Sequence, residues 1–500
     1  MGDRFSKFVS CLKRLPATTD QQPSTSAPRH TLRNPHPVPA NAQPATRDFL
    51  LVFMRYPEAG RVKTRLAREI GPERAAASYE KLLRRTLGVV SDFKRQNPGA
   101  RILLFHTPED PPGMLEKRFR GPWEFISQEG EHLGERMENA LFAAFSLGAE
   151  KAVLIGSDIA DIAAPDLEEA FRTSGGGVAA LGPAADGGFY LIGLDRPCAA
   201  PFRFAEWGTE GVFSRTARAL SDSGLRVETV ARRSDVDRPE DLPRLDRDPV
   251  LGNSLSVIMP SLSTPERLAP LVDYLECGLW PGDEIIVVQG CASGKTGARR
   301  ISDTVLHARS QVGRGIQQNA GATLARGDIF FFLHDDTIPP PDFAYHIRAA
   351  CARSGMSLGC FRLAFCPDRL SMGLVAKWAN LRTTLFKLPY GDQGLFCSRD
   401  TFERAGGFRL EYLLEDVDLV RRCRKLGRLL MLPIPVHSSS ERYLRKGVLS
   451  ASFENHLTML LFHLGVSSRE LYSIYYRQNS TPRTQPKGQT HSLRRTRRST

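Results

Sequence analysis

A chain of 500 residues exceeds what one ordinary hydrophobic core serves, so at least two domains are expected; its 41% hydrophobic and 25% charged residues suit a soluble globular protein. The formal charge of +13 sits mostly at the ends: residues 1–48 hold seven Lys/Arg against three Asp/Glu, and residues 478–500 hold six against none. The ends thus carry ten of the thirteen charges, which argues against a folded basic groove specific for DNA or RNA and leaves the tails a weak attraction to anionic lipid or other polyanions.

Residues 1–47 read as a disordered leader, with seven prolines among Ser, Thr, Gln and Asn in the first 46 positions. The opening MGDRFS formally matches a myristoylation pattern; a plain leader, or a start codon set too early, explains it as well. Residues 48–250 then alternate. FLLVFM (49–54), ARILLFH (100–106), KAVLIGSD (151–158) and GVAALGPA (177–184) predict strands, and 73–95, 134–148 and 166–174 predict helices between them. Around 238–253 the chain turns polar and Pro-rich, and the alternation restarts over residues 254–477. LSVIMP (255–260), DEIIVVQG (283–290), DTVLHAR (303–309) and GDIFFFLHDD (327–336) predict strands; 265–279 and 313–325 predict helices. Continuous apolar runs alternating with helices imply mostly parallel sheets covered on both faces: two α/β domains in series, of related layout. Residues 478–500 read as a disordered basic tail.

The nine cysteines form no CxxC pair and no Cys/His cluster, which fits reduced thiols better than a disulfide framework or a zinc site. No run of 18 apolar residues predicts a transmembrane helix, and no apolar h-region marks a signal peptide.

In open α/β sheets ligands bind beyond the carboxyl ends of the strands. Here those ends carry Pro260-Ser261, Gln289-Gly290 and His334-Asp335-Asp336. Carboxylates at a rigid strand end suit Mg²⁺ or Mn²⁺, which take the rest of their shell from water and a substrate's phosphates. A capped turn before Ile338-Pro339-Pro340 explains the same residues equally well.

The ordered set VIMPSL…ERL (257–268), VVQG (287–290), GRGIQQNAGATLARGDIFFFLHDDT (313–337), LPYGDQGLF (388–396), GGF (406–408) and LLEDVDLVRRCRKLGRL (413–429) resembles the family-2 glycosyltransferases of the GT-A type. More narrowly it is similar to the transferase 2, rSAM/selenodomain-associated group. That resemblance implies a nucleoside-diphosphate-sugar donor, a divalent cation on Asp336 with Asp335, and an inverting reaction. It also implies a base in Glu415-Asp416, with Asp416 preferred. A helix N-terminus enriched in acid accounts for that pair too. Asp392 and Gln393 fall on the acceptor or diphosphate side, Arg314 and Gln318 near donor phosphate or sugar, and His437 where a late metal ligand can stand. Pro260, Ser261 and Gln289 fall on the nucleotide side. Where the family usually carries Asn-Glu and Asp, this chain has Ser263-Thr264 and Gln289, whose amide still accepts an N–H but lacks the charge.

In the first half, FMRYPEAGRVKTRLA (53–67) offers Lys63 and Arg65 to phosphates, with an ordinary basic helix start as the alternative. Asp158 ends a strand as Asp336 does, and Asp235 and Asp237 in DVD could converge with it on one cation. With LGERM (133–137), LIGSDIAD (154–161), LGPAADGGFYLIGL (181–194) and SDVDRPEDL (234–242), this half resembles the transferase 1, rSAM/selenodomain-associated (DUF2064) family. It is laid out like nucleotidyltransferases, although Ala160 replaces the usual Pro.

The fold expected is therefore two tandem GT-A domains, nucleotide-diphospho-sugar transferase-like and Rossmann-like, with disordered tails. The function expected is metal-dependent sugar transfer to a hydroxyl, with a second transferase or nucleotidyltransferase in the first half. A nucleotide-binding scaffold with decayed chemistry is the rival from another class. Nucleotide-sugars or nucleoside triphosphates are the small-molecule partners. Segments 370–388 and 447–466 are apolar-rich: they either pack on the domain or lie on a bilayer at its cytoplasmic face, which would suit a lipid-linked acceptor. A cytoplasmic protein is expected.

Overall fold

Runs such as Phe49–Val52 and Phe330–Leu333 are buried at every residue, so neither side of their sheets can face water. The computed structural model meets that demand twice. It describes residues 47–471 apart from 205–206, 208–210, 292–295, 367–369, 410–412 and 468–469; apart from Arg47, the leader and the basic tail lie outside the described residues.

The first sheet holds β1 (Asp48–Met54), β2 (Arg101–His106), β3 (Glu124–Ser127), β4 (Lys151–Ile155), β5 (Val178–Pro183), β6 (Phe189–Leu194) and β7 (Arg226–Thr229), in the order β3-β2-β1-β4-β6-β5-β7. Every pairing is parallel except those of β6. The second sheet holds β8 (Leu255–Ser261), β9 (Glu284–Cys291), β10 (Gly297–Arg300), β11 (Val305–Gln311), β12 (Ile329–Phe332), β13 (Thr337–Ile338), β14 (Met356–Cys366), β15 (Leu395–Ser398) and β16 (Arg428–Ser439). Its order is β10-β11-β9-β8-β12-β15-β14-β16-β13. Setting aside the edge strands β10 and β13, the two halves repeat one plan: the sixth strand in chain order is antiparallel and lies between the fourth and fifth. This is the tandem GT-A arrangement expected. The strand expected over 327–336 ends at Phe332, so His334, Asp335 and Asp336 stand beyond it in the turn to β13.

The segment around residue 250 is not a loose tether. Leu245 and Leu251 are buried, and Arg85 Nη1 bonds Asp248 Oδ2 at 2.7 Å. The helix Pro72–Gln96 starts with Pro at its first turn, as suits a group with no free N–H to satisfy, and buries residues on most of its circumference. One side covers the first sheet; another meets the helix Phe343–Cys351 of the second half. There Gly88 lies so close to Tyr345 that a Cβ would collide with its ring. Arg95 Nη1 approaches Asp342 Oδ2 to 3.6 Å, and Arg120 stacks 5.7 Å above the Tyr274 ring. One apolar cluster consequently runs from Leu50 through Leu83 and Leu87 to Phe343, Val257 and Phe331.

Candidate functional site

In the first half, the turn after β1 delivers Lys63 to the start of the helix Thr64–Ile70 in a left-handed conformation (φ 47°), which a residue with a Cβ adopts at a cost. Its Nζ lies 2.9 Å from Asp158 Oδ2 and 2.6 Å from Asp237 Oδ1. Burial alone would lower the ammonium's pKa, but the two carboxylates outweigh it and the pKa is raised. Asp158, against its own burial, is held below its ordinary value by Lys63. The distant DVD segment reaches this point through a bridge between Ile159 and Asp235 and a bond from Ala160 N–H to Ser234 O at 3.2 Å. Asp235 is pushed up to about 6 by burial and then by Asp186, Asp237 and Asp158. With Arg65 and Arg136 these groups line a cavity of about 690 Å³.

The three aspartates thus come together as expected, but not as a ready metal cage, because Lys63 stands between Asp158 and Asp237. Among the described residues, no group of three or more His, Cys, Asp or Glu side chains is arranged to hold a metal ion.

In the second half, Pro260 and Ser261 pair with Val288 and Gln289 across β8 and β9, so the expected nucleotide-side residues are neighbours. Ser261 Oγ donates to Asp335 Oδ2 at 2.6 Å, and Ser263 Oγ does so at 3.1 Å. Asp336 accepts a long bond from Thr337 Oγ1 at 3.4 Å, and its backbone oxygen accepts from Ser439 N–H at 3.0 Å. Its side chain opens toward solvent from a recess walled by protein, and that desolvation, with the charge of Asp335, pushes its carboxyl up to about 6. Two adjacent carboxylates, one held by hydroxyls and one lightly engaged, fit a hard divalent cation that takes its remaining ligands from phosphate and water. His437 sits opposite Ile338 on β16, two positions from Ser439, and does not complete a three-ligand cluster with the two aspartates.

The acid pair opens the helix Glu415–Cys423, after Leu414 in a left-handed conformation (φ 65°). Its two members differ. Glu415 is buried, with Oε1 3.6 Å from Arg314 Nη1. Asp416 is half-buried; its Oδ2 accepts from Gly391 N–H at 2.7 Å and its Oδ1 from Val417 N–H at 2.8 Å. Gly391 has no room for a side chain, since a Cβ would lie 2.7 Å from His334 Nε2. The YGDQG turn therefore packs on His334, just beyond β12, while its Gly391 N–H holds Asp416. Burial, and then Arg314, hold the His334 imidazole neutral. Asp392 is raised by burial, which outweighs Arg382.

Gln393 departs from its expected place facing the acceptor. It is fully buried, accepting from Thr383 Oγ1 at 2.8 Å and donating to Phe361 O at 3.1 Å, so it braces the turn from behind. Gln318 is buried too, and its Oε1 has no hydrogen-bond partner among the described residues, as is true of His334 Nε2 and Asp392 Oδ1. Such atoms commonly bond water or a ligand.

Sequence reasoning missed Gln317, whose Nε2 bonds both Ser261 O (3.0 Å) and Val288 O (2.7 Å) and pins the two strand ends. It also missed Tyr79, bonded to Ser157 Oγ and Arg55 N–H at 2.9 Å each, and the approach of Asp186 to Asp235. The run GRGIQQN gave no sign that both glutamines turn inward or that Gln317 pins the strand ends.

Fold and strand-end placement together define two GT-A-like halves in tandem. Residues 92–209 match the family described as uncharacterized protein conserved in bacteria (DUF2064), and residues 256–402 match glycosyl transferase family 2. The chain is a fusion, belonging to DUF2064 in its first half and to glycosyl transferase family 2 in its second. A proposed nucleotide-diphospho-sugar transferase from Desulfovibrio desulfuricans G20 is 30% identical over 48% of this chain and 99% of its own, with a TM-score of 0.37. The mannosyltransferase PcManGT from Pyrobaculum calidifontis, solved with GDP-Man and Mn²⁺, is 16% identical over 38% of this chain and 58% of its own, with a TM-score of 0.30. No curated protein matches.

Proposed function

We propose that the second half transfers a sugar from a nucleoside-diphosphate donor to a hydroxyl, with inversion, and that Asp416 takes the hydroxyl proton. The observation that supports this is the Asp416 carboxylate, fixed by the N–H groups of Gly391 and Val417 in a turn packed closely on His334. Both oxygens of Asp416 are oriented, so a proton can be received at a fixed place. Glu415 is enclosed and serves as a positioning residue for Arg314, whose charge lies near Asp336 and Asp392. Asp336 and Asp335 would hold Mg²⁺ or Mn²⁺, which supplies charge neutralisation to a departing diphosphate. Pro260, Ser261 and Gln289 bound the nucleotide side. The acceptor class favoured is a lipid-linked hydroxyl, because the turn beside Asp416 is braced by an apolar helix. Seven of the eight described cysteines are free thiols, but Cys366 is disulfide-bonded, contrary to the reduced set expected from the sequence, so the proposed cytoplasmic site of action draws no support from the cysteines.

Nucleotide-sugar turnover by the full chain, tested donor by donor with Mn²⁺, is the experiment. Turnover that vanishes in Asp336→Ala and Asp416→Asn supports the reading. Absence of turnover with every donor leaves the scaffold reading instead.

The first half binds phosphorylated nucleotides in its cavity through Lys63, Arg65 and Arg136. The cavity sets cations (Lys63, Arg65, Arg136) beside carboxylates (Asp158, Asp235, Asp237), a mixture that supports a nucleotidyltransferase over a second sugar transferase. Pyrophosphate released from a nucleoside triphosphate and a sugar 1-phosphate separates the two; none with any pair excludes nucleotidyl transfer.

A further inference from the structure

The helix Leu370–Phe386 is apolar on both faces. Its inner face packs Met372, Ala376 and Ala379 on Leu363 and Phe365 of β14, and Asn380 bonds Leu363 through both its N–H and its C=O. Its outer face carries Leu370 (95% exposed), Leu374 (68%), Trp378, Leu381 and Leu385 (63%), spaced four, four, three and four residues apart. The helix Val448–His463 touches it and adds a second exposed stripe of Phe453 (68%), Leu457, Leu460 and the following Leu464 (71%), again three or four apart. A helix that faces water has no reason to be apolar all round, and two adjoining stripes make a patch of the kind that marks an interaction surface.

The surroundings indicate what covers it. Residues 370–391 contain Lys377, Arg382 and Lys387 and no acid. Arg421 stacks 5.3 Å above the Phe462 ring, and Arg424 Nη1 bonds Phe386 O at 3.0 Å, so cations border the patch. Glu454, the acid of the second helix, is neutralised by Lys446 at 2.6 Å. Residues 472–500, which follow directly, hold seven Lys/Arg and no acid. A second copy would set basic rim against basic rim, which like charge disfavours. No helix among the described residues is long and apolar enough to cross a membrane. We propose that this face docks on an anionic lipid bilayer, with the leucine, tryptophan and phenylalanine stripes entering the interface and the basic border and tail meeting the headgroups. Thr383 and Arg382 on the same helix hold Gln393 and stack on Tyr390, so docking sets the turn beside Asp416 close to the lipid surface.

The test is co-sedimentation of the full chain with vesicles of phosphatidylcholine alone or mixed with phosphatidylserine, with light scattering of the lipid-free protein alongside. Wild type is expected to pellet with the mixed vesicles and weakly with the neutral ones. Leu374→Glu/Leu385→Glu is expected to bind about tenfold less tightly. Phe453→Ser/Leu460→Ser on the other helix provides the same reading if the first pair fails to fold. Quenching of Trp378 by brominated lipid, with Trp378→Phe as control, reports insertion in the unsubstituted stripes. Failure of wild type to bind mixed vesicles overturns the proposal. So does binding that ignores both pairs of substitutions, which would leave the tail alone responsible. A lipid-free dimer that Leu374→Glu/Leu385→Glu dissociates assigns the patch to a second copy and overturns it as well.

Discussion

Lys63 Nζ lies 2.9 Å from Asp158 Oδ2, at the place in the first half where Ser261 Oγ meets Asp335 Oδ2 in the second. In both halves a side chain at or beyond the end of the first strand bonds an acid just past the fourth strand of the shared plan, although Lys63 lies nine residues past β1 and Ser261 is the last residue of β8. One half supplies a cation there, the other a hydroxyl, so the same framework presents an ion-paired carboxylate in one site and a hydroxyl-bonded one in the other.

Lys63→Met should destabilise the chain by about 2 kcal/mol, less than the roughly 3–5 kcal/mol for breaking a fully enclosed pair, because Asp158 and Asp237 keep contact with the cavity. The sign with pH follows from the shifts. The lowered carboxyl of Asp158 contributes above its ordinary value near pH ~4 and loses that contribution as pH falls through the lowered value. The raised ammonium contributes below about pH 10 and loses it as pH rises further. Urea midpoints of wild type and variant should therefore differ at neutral pH and converge in acid; an equal gap at both would exclude the pair as the source.

Asp416→Asn should lower kcat for sugar transfer by about 10²–10⁴-fold with little change in nucleotide affinity, as expected of a lost base. Glu415→Gln should instead raise KM more than it lowers kcat, since that carboxylate acts through Arg314. Steady-state kinetics on both variants distinguish the roles, and a reversed pattern would exchange them.

Asp336→Asn should remove the Mn²⁺-dependent rise in melting temperature with a nucleoside diphosphate. It should also raise the melting temperature of the ligand-free protein slightly, because it removes a charge disfavoured by burial and then by Asp335. Calorimetry with and without Mn²⁺ measures both effects.

Gly88→Val should cost about 1–3 kcal/mol or more, since the added atoms meet the Tyr345 ring. Tyr345→Ala in the same chain should recover part of that loss. Denaturant unfolding checks the coupling; strict additivity of the two changes would mean they do not meet.

Much of the fold was legible because β1, β2, β4, β8, β9 and β12 are continuous apolar runs between helices. Short or edge strands such as β3, β7, β10 and β13 carry no such run, and β16 alternates with prolines at 433 and 435, so nothing local marked them. In the site, Asp336 stood out because it follows an apolar strand, and Asp416 through the resemblance to family-2 glycosyltransferases, since an acid-rich helix start explains that pair as well. Gln317, Tyr79 and His334 did not, since their roles come from partners brought close only by the sheet: Ser261 and Val288, Ser157, and Gly391. Gln393 shared its motif with Asp392, and only the packing of Thr383 and Phe361 against it reveals which way it turns.

Among the described residues, the glycine-to-tyrosine contact and the apolar cluster pack the two halves together where a hinge would otherwise stand. Neither mouth can shut by one lobe swinging onto the other, so any gating must come from local segments around each mouth. The span between the two candidate sites is then fixed by the fold, and a rigid bivalent ligand cut to that length would engage both at once.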